Sequence, residues 1–177
     1  MELNVNGVSH AVASHPLSSL LEVLRGELNI MSPKAGCLQG ACGTCTVLVD
    51  GEPRRSCLVP IATLEGAQIT TVEGLGAPGD VAPIQAAFHE RYAAQCGYCT
   101  PGMLMAAHAL LARNNGPVER DQVIDALGGH ICRCTGYVKI VDAVIAASRG
   151  EVHVAELDEL LVPEPDEPEV EIKGAPA

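Results

Sequence analysis

Eight cysteines, in two separate groups of four, limit what this chain of 177 residues can fold into more than any other feature. Cys37, Cys42 and Cys45 share one short stretch, Cys37-Leu-Gln-Gly-Ala-Cys42-Gly-Thr-Cys45, and Cys57 follows after eleven more residues. The second group is Cys96-Gly-Tyr-Cys99 and Cys132-Arg-Cys134, whose halves are separated by 32 residues. Each group has to be gathered by the fold, so the chain reads as two units, each converging four thiols on one place.

The use of those thiols follows from the compartment. No hydrophobic run approaches the roughly 18 residues of a membrane span, and Met1-Glu-Leu-Asn-Val5 lacks the positive and apolar regions of a signal peptide. The cytoplasm is therefore the expected location, where glutathione keeps thiols reduced, and metal explains eight cysteines better than disulfides do. Charge says little about partners, because nine acidic residues and one lysine from Glu151 onward carry most of the net −11. The mildly acidic remainder argues against nucleic-acid binding, which needs a basic face. Phe88, Tyr92, Tyr98 and Tyr137 are the whole aromatic complement, so base stacking is not a plausible task.

The first part of the chain alternates like a sheet. Leu3 to Val12 predicts a hairpin turning at Asn6-Gly7, and Thr46–Val49 a second one turning at Asp50-Gly51 toward Arg54–Leu58. Ser19-Leu-Leu-Glu22 is a capping box opening a helix to about Leu28, with Leu20, Leu21, Leu24 and Leu28 at helical spacing. Gln68–Val72 predicts a last strand. After the Gly/Pro-rich break at Gly74–Asp80 the pattern becomes helical. Helices are expected from Pro83 to about Ala94, from Thr100 (N-cap) and Pro101 to about Arg113, and over Glu119–Leu127. A fourth follows Thr135-Gly136, with Val138, Val141, Val144, Ile145 and Ser148 on its buried face. The fold class is α+β: a ferredoxin-like domain over 1–75, a linker over 76–82, a four-helix-bundle domain over 83–149, and an acidic, proline-rich tail over 150–177 expected to be poorly ordered.

The spacing of Cys37, Cys42 and Cys45 is that of plant-type [2Fe–2S] ferredoxins, with Cys57 closing the site, and a short mixed sheet with one helix is the matching β-grasp arrangement. Gly36, Gly40 and Gly43 let such a loop take positive φ and bring its amides near sulfur. A four-cysteine zinc site is the competing reading, although zinc sites usually use two short pairs. Spacing alone leaves the second group open to zinc as well. Both of its halves, however, precede a predicted helix, at Cys99-Thr100-Pro101 and Cys134-Thr135-Gly136, and helix N-termini favour an anionic cluster.

Three stretches carry a family resemblance. GCLQGACGTCTVLVDG (36–51), QCGYCTPGM (95–103) and CRCTGY (132–137) together resemble the iron–sulfur subunit of the molybdenum hydroxylases, the xanthine oxidase family, over about 1–149. The resemblance implies two [2Fe–2S] clusters, a large molybdopterin-binding subunit and, usually, a medium FAD-binding subunit. Electrons then run from molybdenum through the helical-domain cluster and the ferredoxin-type cluster to FAD or another acceptor. It implies Cys37, Cys42, Cys45 and Cys57 as ligands of the FAD-side cluster, and Cys96, Cys99, Cys132 and Cys134 as ligands of the molybdenum-side cluster. Gln95 matches a residue that hydrogen-bonds the pterin, and Cys134 the ligand nearest to it. One departure is His130, which with Gly129 and Ile131 stands where the family usually reads Gly-Asn-Leu; it is expected to be a loop histidine bonded to backbone. His108 reads as a packed or surface histidine, and Arg133 as either a surface residue or a partner contact.

The chain has no nucleophile–base pair, phosphate loop or open metal site, so substrate chemistry is expected on a partner. Two other functions compete with the electron-transfer subunit: an independent ferredoxin, which has no need of the helical domain, and a colourless zinc-stabilised adaptor.

Overall fold

The protein is described by a computed structural model covering residues 1–77, 80–114 and 116–153; the tail expected over 150–177 lies, from residue 154 onward, outside the described residues. Both predicted hairpins form. β1 (Glu2–Val5) pairs with β2 (Val8–Ala11), and β3 (Thr46–Val49) pairs with β4 (Glu52–Arg55), all antiparallel. Asn6 and Gly7 have φ of 52° and 79°, and Asp50 and Gly51 have 52° and 80°, the paired left-handed residues that a twist-matched two-residue turn requires. β5 (Gln68–Thr70) lies parallel to β1 and antiparallel to β3, giving the order β2-β1-β5-β3-β4. It stops short of Val72, which enters a 3₁₀ turn.

Leu3 and Val5 of β1, Val47 of β3 and Ile69 of β5 turn inward onto Leu20, Val23 and Leu24, the core of this unit. The helix carrying those residues starts at the expected cap. Ser19 Oγ accepts from Glu22 N at 3.2 Å, and the Glu22 carboxylate accepts from Ser19 N at 3.3 Å. It is α-helical only over α1 (Leu20–Glu22) and continues as a π-helix over Val23–Glu27, with Leu28 N donating to Val23 O at 3.0 Å. The expected end at Leu28 is right, but the winding is not. Side chains of this segment are tied to neighbouring loops on both sides, Arg25 to the carbonyls of Met31 and Pro33 (2.9 Å each) and Glu27 to Ser14. Those tethers accompany the wider turn, a feature found mostly as single turns within helices.

The second unit is helical: α2 (Pro83–Glu90), α3 (Thr100–Arg113), α4 (Arg120–Leu127) and α5 (Val138–Arg149). Among the described residues no helix is long and apolar enough to cross a membrane. α2 ends before the expected Ala94. Tyr92 takes φ 53°, its N–H donates to His89 O, and Ala93 N donates to Phe88 O at 2.9 Å, a Schellman closure with tyrosine where glycine is usual. The cap of α3 is Cys99 rather than Thr100. On α5 the buried face runs through Ile140, Val141, Ala143 and Val144, while Val138 is 54% exposed. Val138 opens the helix, so no preceding turn covers it.

The two units are packed together. Leu48 of β3 joins Met105 and Ala109 of α3 in a buried cluster flanked by Val72 and Leu75. A Cβ on Gly102 would lie 2.2 Å from Gly43 O, so α3 sits directly against the first cysteine loop. Tyr98 Oη donates to Ala35 O at 2.9 Å, Ile131 N donates to Cys42 O at 2.9 Å, and Arg113 pairs with Glu52.

Candidate metal centres

The first cysteine loop hangs between the end of the π-helix and β3. Lys34 N donates to Thr44 O at 3.0 Å, and Thr44 Oγ1 donates back to Lys34 O at 3.1 Å, closing the loop at its base. Within it Leu38, Gly40 and Gly43 have φ of 58°, 77° and 76°. This curl turns N–H groups inward, so that Cys37 Sγ accepts from Gln39 N at 3.5 Å and Cys42 N at 3.4 Å. Those amides hold the Cys37 thiol down to about 6, which favours the thiolate a metal needs. Gly36 serves space rather than φ, since a Cβ there would lie 2.8 Å from Cys42 Sγ and 2.7 Å from Thr44 Oγ1. Cys57 arrives on a 3₁₀ turn after β4, and the preceding Ser56 ties it to the loop by donating Oγ to Cys45 O at 2.7 Å. Burial, and then the neighbouring Cys45, push the Cys57 thiol up to about 11.

The second group is gathered from the starts of two helices. Cys99 caps α3, while Cys132 and Cys134 precede α5, whose own cap is Tyr137 at φ 69°. Cys134 and Cys96 lie 3.5 Å apart, sulfur to sulfur, and are exposed. The Tyr98 amide, and then Cys134, lower the Cys96 thiol; Cys134 is in turn raised by Cys96. Deeper in, burial and the neighbouring Cys132 push Cys99 up to about 12. Burial acts upward on Cys132 too, but the hydroxyl of Thr135, 3.1 Å from its sulfur, together with the amides of Thr135 and Cys134 and the Cys99 thiol, outweighs it and leaves the thiol below its usual value. Tyr137 locks this loop, its hydroxyl accepting from Cys132 N at 2.9 Å and donating to His130 O at 3.2 Å.

All eight predicted cysteines are therefore brought into two sets, and each set divides into pairs. Cys37 lies beside Cys42 and Cys57 beside Cys45; Cys96 lies beside Cys134 and Cys99 beside Cys132. Among the described residues no three His, Cys, Asp or Glu side chains are placed to hold a single ion. Two thiols and two thiols is the donor arrangement of a two-iron cluster, in which each iron takes two protein ligands. Hydroxyl and amide donors around the sulfurs suit the same group, so the residues present fit it at both places.

Gln95 is exposed beside Cys96, Arg133 is exposed between Cys132 and Cys134, and His108 is half-buried, burial lowering the pKa of its imidazole. His130 departs from expectation. Its ring is buried and faces Thr46 Oγ1 at 3.0 Å and Arg55 Nη1 at 3.3 Å, side chains of the other domain rather than backbone. Burial, and then Arg55, depress its pKa to about 4. Sequence reasoning also missed Thr44, Thr135, Tyr137, Tyr98 and Arg55. The two threonines stand within three residues of a cysteine, and Thr135 was open to inference as a hydroxyl donor to sulfur; Arg55 carried no local signal.

Comparison with known proteins agrees with this geometry. Residues 3–74 match the family described as 2Fe-2S iron-sulfur cluster binding domain, and residues 71–145 match the [2Fe-2S] binding domain. The chain is 40% identical over 144 residues to the nicotinate dehydrogenase small FeS subunit of Eubacterium barkeri, covering 81% of this chain and 91% of that one. It is 43% identical over 149 residues to the xanthine dehydrogenase iron-sulfur-binding subunit of Escherichia coli O157:H7, covering 82% and 91%. Among solved structures, quinoline 2-oxidoreductase from Pseudomonas putida 86 superposes with a TM-score of 0.78 at 42% identity, covering 86% of this chain and 97% of that one. Its two cluster-binding domains, in this order, and these relatives place the chain in the family of iron–sulfur electron-transfer subunits of the molybdenum hydroxylases.

Proposed function

We propose that Cys96, Cys99, Cys132 and Cys134 hold the cluster that receives electrons from a large molybdopterin-binding subunit, and that Cys37, Cys42, Cys45 and Cys57 hold the cluster that delivers them to a medium FAD-binding subunit or another acceptor. When bound, each [2Fe–2S] cluster supplies a one-electron redox centre. The chain's residues bind, orient and shield those centres. Amides of Gln39 and Cys42, with the hydroxyl of Thr135, stabilise charge on the sulfurs. Gln95, exposed next to Cys96, is the side chain proposed to meet the pterin, and Cys134 the thiol nearest to it. The working division of labour is by domain, 1–75 and 83–149 joined by 76–82, in a complex working in the cytoplasm, where free thiols persist.

The observation that carries this reading is the pairing of thiols within each set together with their unequal exposure. Cys96 and Cys134 are exposed beside Gln95, whereas Cys99 and Cys132 lie inward. At the other set, Cys57 and Leu38 border an open groove of ≈ 520 Å³ shared with Leu21 and Arg25, a fitting seat for an acceptor subunit. The experiment is purification of the complex through a tag on this chain, followed by metal analysis and EPR of the reduced sample. Iron with molybdenum in a much larger partner, and two distinct [2Fe–2S] signals, are expected. Zinc in place of iron, a single signal, or recovery of the chain alone would overturn the reading.

A further inference from the structure

His130 stands between the two cysteine loops, against Gly43 of one and two residues ahead of Cys132 in the other. Its imidazole is 5% exposed, although it belongs to a loop two residues ahead of Cys132. Nε2 lies 3.0 Å from Oγ1 of Thr46, the residue following Cys45, and 3.3 Å from Nη1 of Arg55. A guanidinium only donates, so Nε2 accepts and the ring proton sits on Nδ1; Nδ1 is buried without a hydrogen-bond partner among the described residues. Arg55 also donates to Thr46 Oγ1 and to Gly129 O, both at 2.7 Å, so one side chain grips both loops. The carbon edge of the ring fills the space over Gly43, where a Cβ would lie 2.5 Å from Cδ2. The next residue, Ile131, donates its N–H to Cys42 O at 2.9 Å.

We propose that His130 is a positioning residue for electron transfer: clamped by Arg55, set against Thr46 and wedged over Gly43, it sets the spacing between the Cys42–Cys45 loop and Cys132, and so between the two clusters. The proposal rests on the cysteine assignment given above. Truncating the ring leaves a cavity between the loops and strips Arg55 of a partner, so the two loops are no longer held together and move apart. Asparagine, which the resemblance leads one to expect here, is too short to put an acceptor at the position of Nε2. The clamp is therefore a property of this chain, not a requirement of the motif. Positions that matter for reactivity need their support held to about 0.5 Å.

The test uses the intact complex, with both clusters reduced, and reads their magnetic interaction by EPR as line splitting and shortened spin relaxation. Both fall steeply with separation. His130→Ala is expected to keep both cluster signals while the splitting is diminished or lost, and His130→Gln, which returns an acceptor near Nε2, is expected to restore it. Unchanged splitting in His130→Ala, or no recovery in His130→Gln, overturns the proposal. Should His130→Ala fail to assemble, Arg55→Met decides: methionine keeps an unbranched side chain but has no donor for Gly129 O or the imidazole, so diminished splitting supports the clamp and unchanged splitting overturns it. Absence of any interaction in the unsubstituted complex would also overturn it. Absence of two signals there would instead overturn the cysteine assignment, and this proposal with it.

Discussion

Glu73 joins the stretch ahead of Cys37 to the end of the sheet with one carboxylate. It accepts from Ser32 N at 3.1 Å, from the Ser32 hydroxyl, and from Thr71 Oγ1 at 2.6 Å. Burial acts to raise its pKa, but the Ser32 and Thr71 hydrogen bonds outweigh that and hold it below the usual 4.5. A folded-state pKa below the unfolded one means the contribution to stability is fully present above 4.5 and is lost as pH falls through the lower folded value. Glu73→Gln is accordingly expected to lower the melting temperature by about 2–4 °C near neutral pH. The gap between the two proteins should close as the pH is taken down through the carboxylate range. A gap that stayed constant with pH would show that the charge is not what holds the stretch. Glu73 carried no signal in the sequence, because its partners are 41 and 2 residues away and only the tertiary path of the loop brings Ser32 over it.

Caps and turns are local enough to be read in advance. The Ser19–Glu22 box forms as expected, and both two-residue hairpin turns do too, because each depends on residues within a few positions of one another. Ser19→Ala should cost about 0.5–2 kcal/mol. Hydrogen exchange should register that loss as faster exchange in Leu20–Leu24, with both cluster signals retained; unchanged exchange there would mean that core packing alone holds the helix start. What failed to be read at this scale failed for a physical reason. The π-winding of Val23–Glu27 accompanies side chains tethered to loops distant in sequence, and the early stop of α2 uses Tyr92 in a left-handed conformation that glycine or asparagine normally announces. Val138 follows the helical period of the buried stripe, yet it lies at the open first turn of α5. Periodicity assigns a direction around the helix axis; it cannot say whether anything stands there to cover it.

At the scale of the molecule the interface between the two units is a second, smaller core. Met105 is fully buried against Leu48 and Ala109, between a strand of one domain and a helix of the other. Replacing it with alanine should destabilise the protein by about 2–5 kcal/mol. Since Gly102 also rests on the first cysteine loop, the loss is expected at both sites together. Visible absorbance followed during heating should bleach in one transition at a lower temperature in Met105→Ala; two separated transitions would show that the domains melt independently of this contact.

The chemistry was legible before any fold was known: eight cysteines, their spacing, the turns between them and the family they resemble are all properties of neighbours along the chain. So was the division into a sheet half and a helical half, because periods of two and 3.6 are written locally. Folding had to settle which thiol stands beside which, that Cys96 and Cys134 face outward while Cys99 and Cys132 face in, and that the ring of His130 meets side chains of the other domain rather than backbone. Those are facts about surfaces in contact. Arg55, Thr46 and His130 are separated by up to 84 positions, and nothing in the pattern around any of them records the other two.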